Sequence, residues 1–442
     1  MSRIIRYSMM RNVHSFYKTL LSSTLRPTFG YIDGHSHLTT KDIRYLKQLI
    51  GTDYSNATAE FETSFSRIVG AGESVSFASA RMAFFSLLSY LKIGKGDEVI
   101  LLGSTCSVMP NAIIRTGAQP VYSDLDIDTF GSSVKHIEEC LSSNTRMIVA
   151  QHSFGIPCDI EPIAELALSK KIFLLEDCAL TLGSMRSGKN TGTFGNAALY
   201  STDHSKPINT LTGGLIYSDD TDVIDALRVI QRESREIPIA QQRALWRKLR
   251  FEARYCVPQR YGRRKPFLFV GDIVTRLLNQ PYPLLTGDSG ATSTGTYPYP
   301  ARLPTFLAAL GVKEIERWQE SVIERRSFLN EIMALISSNR LPISLPKAYC
   351  DVDLDIVPLR IAWAESDIAG VEKSIEHFVD IEWTWFKQPI INTTDPLEHY
   401  GYCSGSCSIS EEIGPRMVNL PCNLRSKDQA LLIGYLVDAL KG

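Results

Sequence analysis

From residue 75 onward, short apolar runs alternate with stretches whose apolar positions recur at helical spacing. The runs at 74–77, 98–102, 120–123, 146–152 and 172–175 read as strands, and 81–91, 108–115, 134–141 and 160–169 read as helices between them. Gly94 and Gly96 stop the first of these helices and Gly117 the second. Strands and helices in this alternation specify an α/β domain around a mostly parallel sheet. Two further strands, at 198–202 and 214–218, close that domain near residue 220.

Beyond it, a long stretch from 222 to about 264 reads as helical, with many arginines. The Gly, Ser, Thr and Pro content of 287–300 reads as a loop. The chain is expected to be helical again over 305–336, and the last hundred residues mix helices with strand candidates at 356–362 and 418–420. The expected division is an N-terminal arm or helical segment (1–59), a large domain (60–220), a basic helical insert with its loop (221–300) and a smaller C-terminal α/β domain (301–442).

Composition narrows the class. Hydrophobic residues make up 44% and charged residues 21%, as in an ordinary soluble globular protein. A net charge of -1 gives the whole chain no pull toward nucleic acid. No run of 18 apolar residues marks a membrane span. Nine cysteines without framework spacing point to free thiols in a reducing, cytoplasmic setting. Cys403 and Cys407 lack the second pair or histidines that a zinc site needs, so no metal is expected. Arg3, Arg6, Arg11, Lys18 and Arg26 precede the first acid, which suits a basic arm or first helix better than a transit peptide.

In sheets of this kind ligands collect at the carboxyl ends of the strands. Asp124, His152, Asp177, and Asp203, His204 and Lys206 fall at such ends, and Ser79 follows a strand and precedes a helix. A lysine amine forms a Schiff base with an aldehyde cofactor, and an aspartate can pair with a protonated pyridine nitrogen. A small-residue turn opening a helix offers backbone N–H groups and a positive dipole end to a phosphate. Singly, each residue has a plainer reading: a solvated lysine, or an aspartate that caps a turn.

The ordered set is more specific. Ser79-Ala-Arg-Met-Ala-Phe, Gly96-Asp-Glu-Val-Ile, Gly117-Ala-Gln-Pro-Val, His152-Ser-Phe-Gly, Glu176-Asp-Cys-Ala, Gly192-Thr-Phe-Gly, Ser201, Lys206, Gly213-Gly214 and Val418-Asn-Leu-Pro resemble the DegT/DnrJ/EryC1/StrS sugar aminotransferases over roughly residues 60 to 440. The resemblance implies fold type I of the pyridoxal 5'-phosphate (PLP) enzymes, with residues 60–220 as the cofactor-binding domain. It implies that Lys206 carries the cofactor and moves the proton, and that Asp177 pairs with the pyridine nitrogen. Ser201, with the backbone of Ala80 and Arg81 after Ser79, would hold the phosphate. His152 would be a pocket-wall residue and His204 a structural or cofactor-adjacent one.

Several positions depart from the family pattern. Cys106 stands where an aromatic ring often stacks on the cofactor, and Leu180 where Gln or His is usual. Arg81 replaces the Thr of a Gly-Thr pair, and Pro300 aligns with an Asn that reaches the neighbouring subunit. The implied activity is transfer of an amino group from an amino acid, glutamate first, to a nucleotide-linked keto-sugar in surface polysaccharide or deoxyaminosugar biosynthesis, by a homodimer. Two alternatives stay open: a PLP-dependent sugar dehydratase, and a degenerate, non-catalytic regulator. Dehydrating relatives replace the lysine by histidine, which favours transamination here. Between Arg243 and Lys265 nine cations accompany one acid, Glu252. That segment is either a solvated helix face or a wall for a pyrophosphate or an anionic membrane surface.

Overall fold

A computed structural model describes residues 27–263 and 297–440, apart from 33, 53 and 54, together with residues 281, 285 and 290. Most of the basic N-terminal segment, Arg264 and most of the 287–300 loop lie outside the described residues.

Seven strands form the central sheet: β1 (Glu73–Phe77), β2 (Glu98–Leu102), β3 (Gln119–Ser123), β4 (Thr145–Gln151), β5 (Phe173–Asp177), β6 (Ala197–Ser201) and β7 (Gly214–Ser218). Their order is β1-β7-β6-β5-β4-β2-β3. Only β7 runs against its neighbours, pairing antiparallel with both β1 and β6. Helices cover both faces, so β2 and β5 to β7 are apolar and buried almost throughout, as a doubly covered sheet requires. Each strand lies within a residue or two of its expected position. The helix after β2, Val108–Thr116, ends at Gly117, whose φ of 87° forms a left-handed cap that other residues adopt at a cost.

The chain from 222 to 264 is not one helix. Thr221–Glu233 ends before a two-residue strand, Arg235–Glu236, which pairs in parallel with Ala301–Arg302. Pro238 then opens a second helix, Ile239–Tyr255. Pro238 was the available signal: it cannot sit inside a helix but starts one well. The stretch 305–336 is helical as expected, in two helices, Thr305–Glu316 and Trp318–Ser337. The strand candidate at 356–362 begins later, because Pro358 precedes β8 (Arg360–Ala364). β8 pairs antiparallel with β9 (Met417–Pro421).

Two main cores result. One lies around the central sheet and takes in Phe306, Leu307 and Leu310 of Thr305–Glu316. The other joins Phe328, Ile332, Ile361, Trp363, Leu420 and Leu436 to Phe29 and Tyr31 from the far N-terminal side. Phe29 is fastened there by backbone bonds to Phe378 (2.7 Å) and from Asp380 (3.0 Å). Residues near the start of the chain therefore belong to the wall that the C-terminal part builds beside the sheet.

Candidate active site

Asp177 ends β5 level with Gln151 of β4 and Leu199 of β6. Ser201 ends β6 opposite Gly214, and Gly214 lies opposite Phe77 of β1. Ser79 and the helix Ala80–Tyr90 follow Phe77 at once, so Ser201 and that helix start meet across one glycine. A Cβ on Gly214 would lie 2.3 Å from Ala80 Cα and 2.4 Å from Ala80 N. Glycine there is what allows the helix end to sit against the sheet. Ser79 Oγ accepts the Met82 N–H at 3.4 Å and so serves as the helix cap. The first-turn backbone at Ala80 and Arg81, with its dipole, forms an anion cup beside the Ser201 hydroxyl. The Arg81 side chain turns elsewhere, donating to the Leu285 carbonyl and to Tyr297 Oη.

Lys206 sits on the loop between β6 and β7, which is tied at its base. Thr202 N donates to Gly213 O at 3.0 Å, Thr210 N to Thr202 O at 2.8 Å, and the two threonine hydroxyls lie 2.6 Å apart. Thr212 Oγ1 donates to Ala78 O at 2.7 Å, fixing the loop to the turn before the anion cup. Asn209 donates to His204 O at 3.1 Å and to Glu252 at 3.4 Å. The Lys206 ammonium is pushed down to about 8, first by burial, against the opposing pull of Asp203, with Arg360 adding to the depression. Burial opposes charge on Asp203 too, yet His204, Lys206 and Arg81 together hold it down at about 2.

Asp177 is buried, and the Ala179 N–H at 3.0 Å is the one hydrogen-bond donor to its carboxylate among the described residues. Burial pushes its carboxyl up, while the Ala179 N–H and Lys206 draw it back. Lys206 and Asp177 thus share one electrostatic neighbourhood.

The remaining expected site residues divide. The Cys106 thiol accepts from Asn392 Nδ2 at 3.4 Å and lies within electrostatic reach of Lys206. His152 does not line a pocket. It is fully buried, its Nδ1 accepts the Cys158 N–H at 3.0 Å, and its Nε2 faces Glu176 at 3.1 Å. With Nδ1 accepting, the proton rests on Nε2. His152 supports Asp177 from behind, donating its backbone N–H to Asp177 O at 3.1 Å. Leu180 packs among Leu102, Phe154 and Leu359, and brings no polar atom to a ring. Asp124 caps a C-terminal helix through Ile409 N, Ser410 N and Ser410 Oγ, at 2.7 to 2.9 Å.

His152, Glu176 and Cys178 cluster closely enough to suggest a metal. The Glu176 carboxylate, however, already accepts the N–H groups of Gly192, Phe194 and Gly195 at 2.6 to 2.8 Å, as well as facing His152. It is a clamp on that turn, with its lone pairs engaged.

Sequence reasoning missed the opposite wall. The Lys206 Nζ lies 4.4 Å from the Trp385 ring centroid. The Arg360 guanidinium lies 3.3 Å from the same ring and 4.1 Å from that of Tyr31. Asn419 Oδ1 accepts from Arg360 Nη1 at 2.8 Å and faces Trp385 N at 3.4 Å. Asn419 was in view as part of Val418-Asn-Leu-Pro. Nothing local in the sequence joins it to Tyr31, Arg360 or Trp385.

An amine, a buried carboxylate with an oxygen to spare and a helix-end anion cup suit a pyridine aldehyde that carries a phosphate. The family model that matches residues 41–433 is the DegT/DnrJ/EryC1/StrS aminotransferase family. This chain belongs to that family. Its aminotransferases are PLP-dependent. Among curated relatives, GDP-perosamine synthase of Escherichia coli O157:H7 is 34% identical over 192 residues, covering 42% of this chain and 53% of that protein. The spore coat polysaccharide biosynthesis protein SpsC of Bacillus subtilis (strain 168) is 34% identical over 171 residues, covering 39% and 44%. The chain spans about half the length of the curated relatives it matches. An aminotransferase structure from Psychrobacter cryohalolentis superposes with a TM-score of 0.67 at 17% identity, covering 92% of this chain and 96% of that one. At that identity the likeness speaks for the fold alone, an α/β architecture around a mostly parallel sheet.

Proposed function

We propose that this protein is a PLP-dependent aminotransferase that moves an amino group from an amino acid to a keto-sugar, with a nucleotide-linked sugar as acceptor. The observation that carries the reading is Lys206 and Asp177 meeting at one set of strand ends, beside the Ser201 and Ala80 cup. When bound, the cofactor supplies an aldehyde carbon for the amine and a ring that accepts an electron pair. Lys206 Nζ, depressed to about 8, is a competent amine and base near neutral pH. It would take the proton from the donor's α-carbon and return it to the other side of the exchange. Asp177 would hold the ring nitrogen's proton, and the phosphate would rest on Ser201 and the helix start. The sugar substrate is supported by the relatives' names, and Lys206, where dehydrating relatives keep histidine, favours transamination over dehydration. A homodimer, expected from the family, belongs to the same proposal.

The test is spectral. Purified protein with PLP should develop a visible absorbance band, and L-glutamate should discharge it. Lys206→Ala should bind the cofactor without that band and lose turnover by ~10⁴-fold or more. A wild-type protein that shows no band, or a K206A protein that keeps it, would remove the reading. Gel filtration of the loaded enzyme at micromolar concentration checks the dimer, and an exclusively monomeric protein would count against it.

A further inference from the structure

The arginines of the helix Ile239–Tyr255 take no part in the site at Lys206. Arg243, Arg247, Arg250 and Arg254 are all exposed. At about 100° per residue they fall within an arc of roughly 60° on one side of the helix. Gln241, Leu245, Leu249 and Glu252 are buried on the opposite side, where Glu252 accepts from Asn209 of the Lys206 loop. The row is therefore turned away from Lys206. Ile239, 50% exposed, heads it in the same register. Half-buried Trp246 flanks it, with the Arg250 guanidinium 4.9 Å from its ring centroid and Lys47 Nζ 5.3 Å from it. The Arg254 guanidinium lies 5.5 Å from the Tyr255 ring.

Like charges one turn apart repel, and a solvated helix face ordinarily relieves this by mixing both signs. This row carries no acid. Among the described residues no carboxylate pairs with any of its four arginines, and the helix's one acid is engaged with Lys248 on the buried side. Stacking on Trp246 and Tyr255 orients two of the guanidiniums for planar contact with phosphate oxygens. Charge alone would suit any polyanion. An isoleucine exposed in the same row adds nothing for a free phosphate or a nucleic-acid backbone, but it fits among lipid headgroups. Cations of one sign, a flanking tryptophan and tyrosine, and an aliphatic end make up a helix that lies along a bilayer surface.

We infer that the outward face of Ile239–Tyr255 docks this protein on an anionic lipid surface, with Arg243, Arg247, Arg250 and Arg254 on lipid phosphates and Ile239 among the headgroups. The contact runs along the surface; no helix of the described residues is long and apolar enough to cross a membrane. Docking of this kind is independent of the chemistry at Lys206. It sets where the protein works and leaves its reaction unchanged.

The experiment uses the PLP-loaded full-length protein in a flotation assay. The vesicles are phosphatidylcholine, alone or mixed equally with phosphatidylglycerol. The protein should float with the anionic vesicles only, and high salt should release it. Each cation at such a surface is worth about fivefold in partitioning, so R243Q/R247Q/R250Q should weaken it by about 100-fold. Ile239→Ser should weaken it by about fivefold without changing the salt dependence. In both variants the visible band and its response to L-glutamate should match the wild type. Wild-type protein that floats equally with neutral and anionic vesicles, or with neither, would overturn the docking. So would a triple variant that floats as the wild type does. Preference for a duplex oligonucleotide over vesicles, insensitive to Ile239→Ser, would assign the row to nucleic acid and also overturn it. A wild-type protein that floats as expected but shows no visible band would sink the aminotransferase function and leave the docking in place.

Discussion

The two sides of the cleft are built by different means. The sheet side is made of backbone: strand ends in register, a glycine at the closest approach, and a helix start whose N–H groups face outward. The opposite wall is made of side chains from four distant stretches, Tyr31, Arg360, Trp385 and Asn419, stacked and hydrogen-bonded into one unit. Backbone cups recur wherever a strand, turn and helix meet, so one shape serves a cofactor common to many reactions. A stacked side-chain wall can vary without disturbing the sheet, and it is where substrate choice can reside. The distinction predicts that damage to the sheet side abolishes cofactor chemistry, and that damage to the wall redirects or weakens substrate use.

The strongest way to break this division is Asp177→Asn. It keeps the shape and the Ala179 contact but removes the charge that is proposed to face the ring nitrogen. Turnover should fall by ~10³-fold, read as single-turnover rates with the cofactor still bound. A loss under tenfold would place the ring partner elsewhere. Gly214→Ala comes next. Its added methyl must displace Ala80, so it should cost about 1–3 kcal/mol of stability and weaken cofactor retention, measured by thermal melts and PLP titration. Normal PLP affinity in this variant would mean the cup lies apart from Gly214.

A smaller effect is expected in pH. Lys206 is faced by Asp203, Arg360, Cys106 and Asp177, and its net depression to about 8 leaves the neutral amine dominant only above that pH. Capture of PLP by the apoprotein should therefore slow about tenfold per pH unit below it, followed as growth of the visible band. Asp203 raises the lysine, so Asp203→Asn should move the profile to lower pH. A shift the other way would show that Asp203 acts on Lys206 by position and not by charge. The smallest effect concerns the basic helix. Arg254, Arg260 and Arg263 border a surface cleft of about 280 Å³ with Tyr255 and Gln259. Replacing all three by Ala should raise the sugar-nucleotide KM by about tenfold if they meet its phosphates. Unchanged kinetics and unchanged binding to anionic vesicles would leave them as a solvated face.

The same helix shows how a charge pattern can mislead. Its single acid, Glu252, looks like a lapse in a cationic face. It is in fact buried, 3.1 Å from Lys248 and 3.4 Å from His35, under the loop that carries Lys206. Burial opposes its charge, yet Lys248 and His35 hold its carboxyl below the usual range. His35 also contacts Asn209 O at 2.8 Å, so a stretch near the start of the described chain braces the loop that carries Lys206. The strand positions were legible because each run is a local signal of apolar periodicity, and Asp177, Ser201 and Lys206 could be placed by counting from strand ends. His152, expected at the pocket wall, turns inward to Glu176 and Cys158, because adjacency to such an end does not say which way a side chain turns.

By itself the sequence determined the α/β alternation, the place of the lysine and the carboxylate at strand ends, and the family, since these are written in short-range periodicity and ordered motifs. Tertiary structure alone decided which residues meet them from across the cleft. Tyr31 and Arg360 are separated by more than three hundred positions, and only the closure of the second core brings their rings and charge together. Local patterns fix backbone geometry, whereas contacts between distant segments follow from how whole elements pack, which no window of sequence contains.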